Sequence, residues 1–167
     1  MKNYLIISLL FLSLGFSQKE YNGNELIEMD NGLWTEKFSD EPISGKVYGY
    51  FGVGVILKKV YMGNILKGKK EGRWKSYHSN GKKKYDENYK DGKLDGLETY
   101  WYINGNKGSE GTYKNGKEEG LYTVWYESGQ KRYEHTYKNG NLDGLLTEWY
   151  ENGQKSYEGV FKNGKVI

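Results

Sequence analysis

The stretch from Gly144 to Ile167 reads GLLTEWYENGQKSYEGVFKNGKVI, and it decides the fold. Asn152-Gly153 and Asn163-Gly164 are dipeptides that favour tight hairpin turns with positive φ at both central residues. The legs beside them are rich in Tyr, Phe, Trp and Val, side chains that suit a pleated, half-buried surface. Working outward, the same unit recurs every 24 residues: Gly72, Gly96, Gly120 and Gly144 open successive units, and Gly81, Gly105, Gly129 and Gly153 follow nine residues later. A third ladder, Gly92, Gly116, Gly140 and Gly164, lies twenty residues after the first.

Counting each opening glycine as position 0, the aromatics keep step with the glycines. Tyr77, Trp101, Trp125 and Trp149 stand at position 5; His78, Tyr102, Tyr126 and Tyr150 at position 6; Tyr89, Tyr113, Tyr137 and Phe161 at position 17. A fixed period of this kind means stacked supersecondary units. The fold expected is all-β: an elongated, single-layer antiparallel sheet of tandem hairpins, two strands and two type I′ turns per unit. The repeat domain spans residues 45–167, with a degenerate unit at 45–71 and regular units at 72–95, 96–119, 120–143 and 144–167. Tyr61 and Gly68 of the degenerate unit are in phase with Tyr85 and Gly92, and about three extra residues fall around GYFGVG, Gly49 to Gly54.

Centring the turn on Asn-Gly places opposite each other those residues whose positions sum to seventeen, so position 4 faces position 13. Tyr85, Tyr133 and Tyr157 occupy position 13, but the second unit has Ser109 there and alone carries a tyrosine, Tyr100, at position 4. The ring has changed strands and kept its place. This register puts Tyr102, Tyr126, Tyr150, Tyr113, Tyr137 and Phe161 on one face, the candidate binding face, and Leu97, Leu121, Leu145, Trp101, Trp125 and Trp149 on the other. The turn glycines Gly81, Gly92, Gly105, Gly116, Gly129, Gly140, Gly153 and Gly164 are structural. Lys83, Lys107, Lys131 and Lys155 at position 11 are expected opposite His78, Tyr102, Tyr126 and Tyr150, with a stem or ammonium over the ring.

The unit resembles the MORN-variant repeat, whose YxGxxKNGKxxG core is matched by Tyr157, Gly159, Lys162, Asn163, Gly164 and Lys165. EPISGKV, with Pro42 and Gly45, looks like the usual start of the first unit in such proteins. The core's second glycine is kept at Gly111 and Gly159 but is Glu87 in the first regular unit and His135 in the third. The resemblance implies a twisted sheet with a groove used for protein or lipid contacts, and similarity to YwqK-type antitoxin components implies a toxin-neutralising alternative.

Composition supports binding over catalysis. Of 167 residues only 36% are hydrophobic, with 24 Gly, 17 Tyr and one Pro, so aromatic rings have to supply much of the packing. The 25 Lys and Arg are interspersed with 22 Asp and Glu, a net charge of +3 without a basic stripe, which disfavours nucleic acid. With no Cys, and with His78 and His135 at different positions of different units, no metal site or other cofactor is indicated. Asp86, Glu110, Glu134 and Glu158 recur at position 14, and a carboxylate repeated in every unit is a poor unique acid. No nucleophile elbow or phosphate loop is present, so the chain is read as not an enzyme.

Met1 to Ser17 reads as a signal peptide: Lys2 precedes an apolar run from Tyr4 to Phe16, and Gly15 and Ser17 are small residues before Gln18. Export to the periplasm, the outer membrane or the medium is expected. Residues 18–44, with ELIEMDNGLWTEKF turning at Asn31-Gly32, are expected to form an irregular hairpin that caps the first edge of the sheet, and Val166-Ile167 to leave the last edge open for pairing with another chain. The function expected is a non-catalytic scaffold of the bacterial cell envelope that holds a protein partner. Glycan or lipid bound by the aromatic ladders is the further alternative.

Overall fold

The computed structural model describes residues 19–53 and 56–167. The leader expected at Met1 to Ser17 lies outside the described residues, as does Gly54 at the end of GYFGVG. Among the described residues the backbone is strand and turn with one 3-10 turn, Gly23–Glu25. The strands of the N-terminal segment are β1 (Glu20–Asn22), β2 (Leu26–Glu28) and β3 (Trp34–Glu36), followed by a long hairpin of β4 (Gly45–Val53) and β5 (Ile56–Leu66). The regular units contribute β6 (Lys69–Tyr77), β7 (Lys83–Lys90), β8 (Lys93–Leu94), β9 (Gly96–Trp101), β10 (Lys107–Lys114), β11 (Lys117–Trp125), β12 (Lys131–Lys138), β13 (Asn141–Trp149), β14 (Lys155–Lys162) and β15 (Lys165–Val166). From β4 onward each strand pairs antiparallel with the one before it in a single 13-stranded sheet; β8 and β9 share the leg beside β7. The expected meander of hairpins is the fold.

At its N-terminal end the sheet is covered. β1 runs parallel along β4, pairing Glu20 to Asn22 with Lys46 to Tyr48, while β2 and β3 form a separate small hairpin. Tyr21, Leu26, Ile43, Val47, Ile65 and Trp74 are buried together, with Trp34, Met62 and Tyr89 packed against them. Among the described residues this is the main apolar cluster, and it sits where the N-terminal segment meets the first units. Lys70 closes it: its ammonium lies 5.4 Å from the Trp34 ring, 5.1 Å from Trp74 and 4.8 Å from Tyr89. A cation shared by rings of the cover and of the sheet draws the two together.

The register follows the seventeen rule for most of each hairpin. Gly72 pairs with Tyr89 and Ser76 with Tyr85; Tyr100 pairs with Ser109, Val124 with Tyr133, and Glu148 with Tyr157. Tyr100 also stands beside Tyr85 of the preceding unit, ring centroids 5.0 Å apart, and 5.4 Å from Tyr102. Tyr100→Ser is therefore expected to destabilise the protein by about 1–2 kcal/mol more than Ser76→Ala, from the ring pairs with His78, Tyr85 and Tyr102 that it removes. Urea melts of the two variants measure this, and equal midpoints would contradict the ring's role.

One of the two turns departs from expectation. At Asp91-Gly92, Asn115-Gly116, Asn139-Gly140 and Asn163-Gly164 both residues have positive φ, as type I′ requires. At the other turn only the glycines Gly81, Gly105, Gly129 and Gly153 do, while Asn80, Asn104, Ser128 and Asn152 do not. Gly81 N–H donates to the His78 carbonyl and His78 N–H to the Lys82 carbonyl, so this turn is a three-residue loop closed by a glycine bulge. Asn80 stays right-handed because its side chain accepts a hydrogen bond from the Lys82 amide two residues on, at 3.0 Å.

That extra residue corrects the lysine positions. The register slips by one at the bulge, so Lys83, Lys107, Lys131 and Lys155 pair with Tyr77, Trp101, Trp125 and Trp149, rather than with the position 6 residues. Their ammonium groups reach forward over the tryptophan of the next unit: Lys83 lies 4.6 Å from Trp101, Lys107 5.3 Å from Trp125 and Lys131 5.9 Å from Trp149.

Candidate binding face

The two faces handle charge differently. On the face that carries the tryptophans, each position 14 acid is neutralised within its own unit. Glu110 accepts from Lys107 at 2.8 Å and from the Thr99 hydroxyl at 3.2 Å; Lys131 and Thr123 serve Glu134, and Lys155 and Thr147 serve Glu158. In the first regular unit Asp86 takes a two-pronged bond from Arg73 at 2.6 and 2.7 Å, with Lys83 at 3.3 Å. The Arg73 guanidinium, then Lys83, holds the Asp86 carboxyl below the usual carboxylate range. These acids are structural, bound into a ladder of Lys–Glu–Thr contacts.

The tyrosine face is arranged differently. Its central row runs, strand by strand, through Trp74, Glu87, Glu98, Gly111, Tyr122, His135, Leu146 and Gly159. Tyr89 donates to Glu87 at 3.3 Å. Burial lifts Glu87 above the usual carboxylate range against the pull of the Lys70 charge; burial first, then the neighbouring Glu87 charge, lifts Glu98. Burial also raises the Tyr113 phenol, with Glu98 adding to it. Glu118 acts on the same group of side chains, raising Glu98, Tyr113 and Tyr137. Among the described residues no ion pair engages Glu87, Glu98 or Glu118, and the arginine of this face, Arg132, lies instead over the Tyr126 and Tyr133 rings.

The glycines of this row explain how the rings lie. A Cβ on Gly63 would run into the Trp74 ring, and one on Gly111 into the Tyr122 ring. Each glycine thus provides a bare strand on which the aromatic of the next unit rests. Where Glu87 and His135 replace glycine, the residues against them in the next unit are Glu98 and Leu146, neither of them aromatic.

The expected site residues fall on the tyrosine face, in several roles. Tyr102 and Tyr126 are half-buried, and their hydroxyls donate at 2.9 Å to the carbonyls of Trp125 and Trp149 in the following unit; His78 Nε2 lies 2.7 Å from the Trp101 carbonyl. They clamp unit to unit. Tyr150, at the same position in the last unit, is 58% exposed. Tyr113 and Tyr137 share this face, the Tyr137 ring 6.2 Å from Tyr122, and Phe161 is paired with Gly144 and Val166. Val166 and Ile167 are exposed; β15 pairs only with Phe161 and Lys162 of β14, and Ile167 N–H donates to the Val160 carbonyl.

The turn glycines serve stacking. Gly92, Gly116, Gly140 and Gly164 donate their amides to the carbonyls of Lys70, Leu94, Glu118 and Leu142 one unit earlier. Beside them Glu71, Asp95, Glu119 and Asp143 accept from the amides of Asp91, Asn115, Asn139 and Asn163.

Sequence reasoning missed Glu98, Glu118 and Tyr122. Glu87 stood out only as a lost glycine. A signal was present in the pairing of position 15 with position 2 of the next unit, where glycine goes with an aromatic and a larger residue does not.

Compared with known families, residues 70–91, 118–139 and 142–163 match the MORN repeat variant. The three stretches start and stop at the same positions of their units, each running through the three-residue loop to the first residue of the type I′ turn. No curated protein matches the chain.

Proposed function

We propose that the protein is a non-catalytic repeat scaffold that holds a protein partner on its tyrosine face, and that it works in the cell envelope after export. The observation that carries this reading is the contrast between the covered and uncovered parts of one face. The N-terminal segment packs on the sheet at Trp74 and Tyr89, and beyond it the face continues through units two to four with half-buried rings and no cover among the described residues. A rigid sheet with partly wet aromatics suits a protein interface, where tyrosines supply area at low entropic cost. The acids that recur in the units are tied up in ion pairs, which favours a structural over a catalytic use of them.

A crosslinking pull-down from envelope extract, with the full chain as bait, tests the reading. The expected result is a partner that excess free chain displaces. Background proteins alone, with glycan retained by the purified chain, would favour the carbohydrate alternative. Binding to anionic liposomes without any protein partner would favour lipid, and an exported toxin encoded beside this chain and silenced by it would favour the neutraliser.

A further inference from the structure

Resting on the reading that the partner is a protein, we propose that it inserts an extended segment between β5 and β6, as an added strand with an apolar side chain turned toward Leu26, Met62 and Trp74. The place for it is a break in the sheet. At each later boundary between units the ladder resumes beyond the opening glycine, with Asp86 paired to Thr99, Glu110 to Thr123 and Glu134 to Thr147. Met62 and Lys75 hold the same places one unit earlier and are not paired, since the ladder of β5 with β6 stops at Asn64 and Glu71. The cause lies in β5. Val47 pairs with Gly63 and Tyr48 with Tyr61, so Met62 is an extra residue, and a bulge of this kind bends its strand.

Two cavities mark the break. One, of about 300 Å³, touches Trp74, Lys75, Ser76 and Tyr77 in succession, and the other, of about 440 Å³, touches Lys58, Lys59, Val60 and Tyr61. Successive side chains of a strand point to opposite faces, so a space that meets four in a row lies along the strand's edge. Each cavity is bounded by β5 on one side and by β6 or its loop on the other. The Phe51 and Tyr77 rings, 5.2 Å apart, border both cavities, and they part as the added strand enters.

The direction of the main chain supports the same occupant. His78 N–H donates to the Lys82 carbonyl, on the side of β7, so by alternation along the strand the Lys75 N–H and carbonyl point into the break. A main-chain edge with nothing paired to it selects another main chain, and a neighbouring recess selects one of its side chains. Leu26, Met62 and Trp74 make that recess apolar, and the unbranched Met62 side chain adapts to the group it receives.

The test has two parts. Amide hydrogen exchange of the full chain, followed residue by residue by NMR, should show Lys75 exchanging at least about a hundredfold faster than Thr123 and Thr147, which hold its place in later units. Protection of Lys75 equal to theirs overturns the proposal, because the edge is then already paired, by β5 or by a second copy of the chain. The second part is fluorescence anisotropy with labelled heptapeptides that carry Val, Leu or Phe at alternate positions between Thr and Lys. At least one is expected to bind and to slow exchange at Lys75. Methylating two of its main-chain nitrogens removes donors and keeps every side chain, and should weaken it at least about tenfold.

Lys75→Pro should weaken the unmodified peptide to the same extent. It deletes the N–H that faces the break and leaves the bonds of Trp74 and Ser76 to β7, so the variant is expected to melt close to wild type. Should it lose its fold, the methylated peptide makes the same comparison on the unaltered chain. Absence of binding by all the peptides overturns the added strand, and so does equal affinity of the methylated form. Envelope pull-downs with wild type and Lys75→Pro as baits separate the proposal from the scaffold reading. A partner kept equally by both baits overturns the added strand and leaves the scaffold, while peptide binding with no envelope partner on either bait overturns the scaffold and leaves the strand site.

Discussion

Trp74→Ala is expected to lower the unfolding free energy by about 3–5 kcal/mol, the range for deleting a large buried aromatic. Trp74 is 7% exposed, and three separate supports are lost with it. Its ring fills the space against Gly63, its indole N–H donates to the Asn64 carbonyl at 3.0 Å, and its face helps hold the Lys70 ammonium. Since a domain of this size is stable by only about 5–15 kcal/mol, one substitution removes a large part of the total. The damage should start at the N-terminal cover, because Trp34 and Leu26 pack on the sheet through this cluster. Urea melts give the magnitude, and hydrogen exchange gives the place: β1 to β3 are expected to lose protection before β10 to β14. A loss below about 1 kcal/mol, in the range of a surface substitution, would mean that the cover is held elsewhere.

Gly111→Val sets two effects against each other. Valine suits a strand better than glycine by up to about 1 kcal/mol, and on propensity alone the variant should be more stable. Packing opposes this, since any Cβ at residue 111 overlaps the Tyr122 ring, and a branched one cannot turn away from it. Overpacking of this kind costs about 1–3 kcal/mol, so a net destabilisation is expected. A variant that melts higher than wild type would show that Tyr122 does not rest on residue 111. Gly159→Val is the companion measurement: a Cβ there would overlap Tyr157 of its own strand, whose 44% exposed ring has room to move, so the same change should cost less.

How far the sequence could be read depended on whether a feature repeats. The glycine ladders and the position 5, 6 and 17 aromatics fix the hairpins, their faces and the pairing of Tyr100 with Ser109, because period and strand alternation leave little freedom. Asn80-Gly81 and Asn163-Gly164 look alike as dipeptides, yet they close different turns, and only the number of residues that the hydrogen bonds enclose distinguishes them. The lysine positions were misread for that reason alone. The row through Glu87, Glu98 and Tyr122 was harder, since it needs the register between units as well as within one. That register slips at the opening glycines, where Gly96, Gly120 and Gly144 take positive φ. Glu87 was visible as an exception to the core motif, but its meaning lay in Glu98, across the turn and in the next unit.

Apart from the Trp74 indole, which reaches back to Asn64, the side chains that bond the backbone of another unit share one polarity. Tyr102 and Tyr126 bond the main chain of the unit that follows, Asn80 and Asn104 reach the carbonyls of Ile103 and Glu127, and the acids Glu71, Asp95 and Glu119 receive amides from the turn of a later strand pair. In each of these the side chain comes earlier in the chain and the backbone it secures comes later. The 24-residue period seen in the letters is thus offset from the period of mechanical dependence. A residue altered in one unit should register as fraying in its successor, and an array shortened from its far end keeps every clasp that its remaining units need.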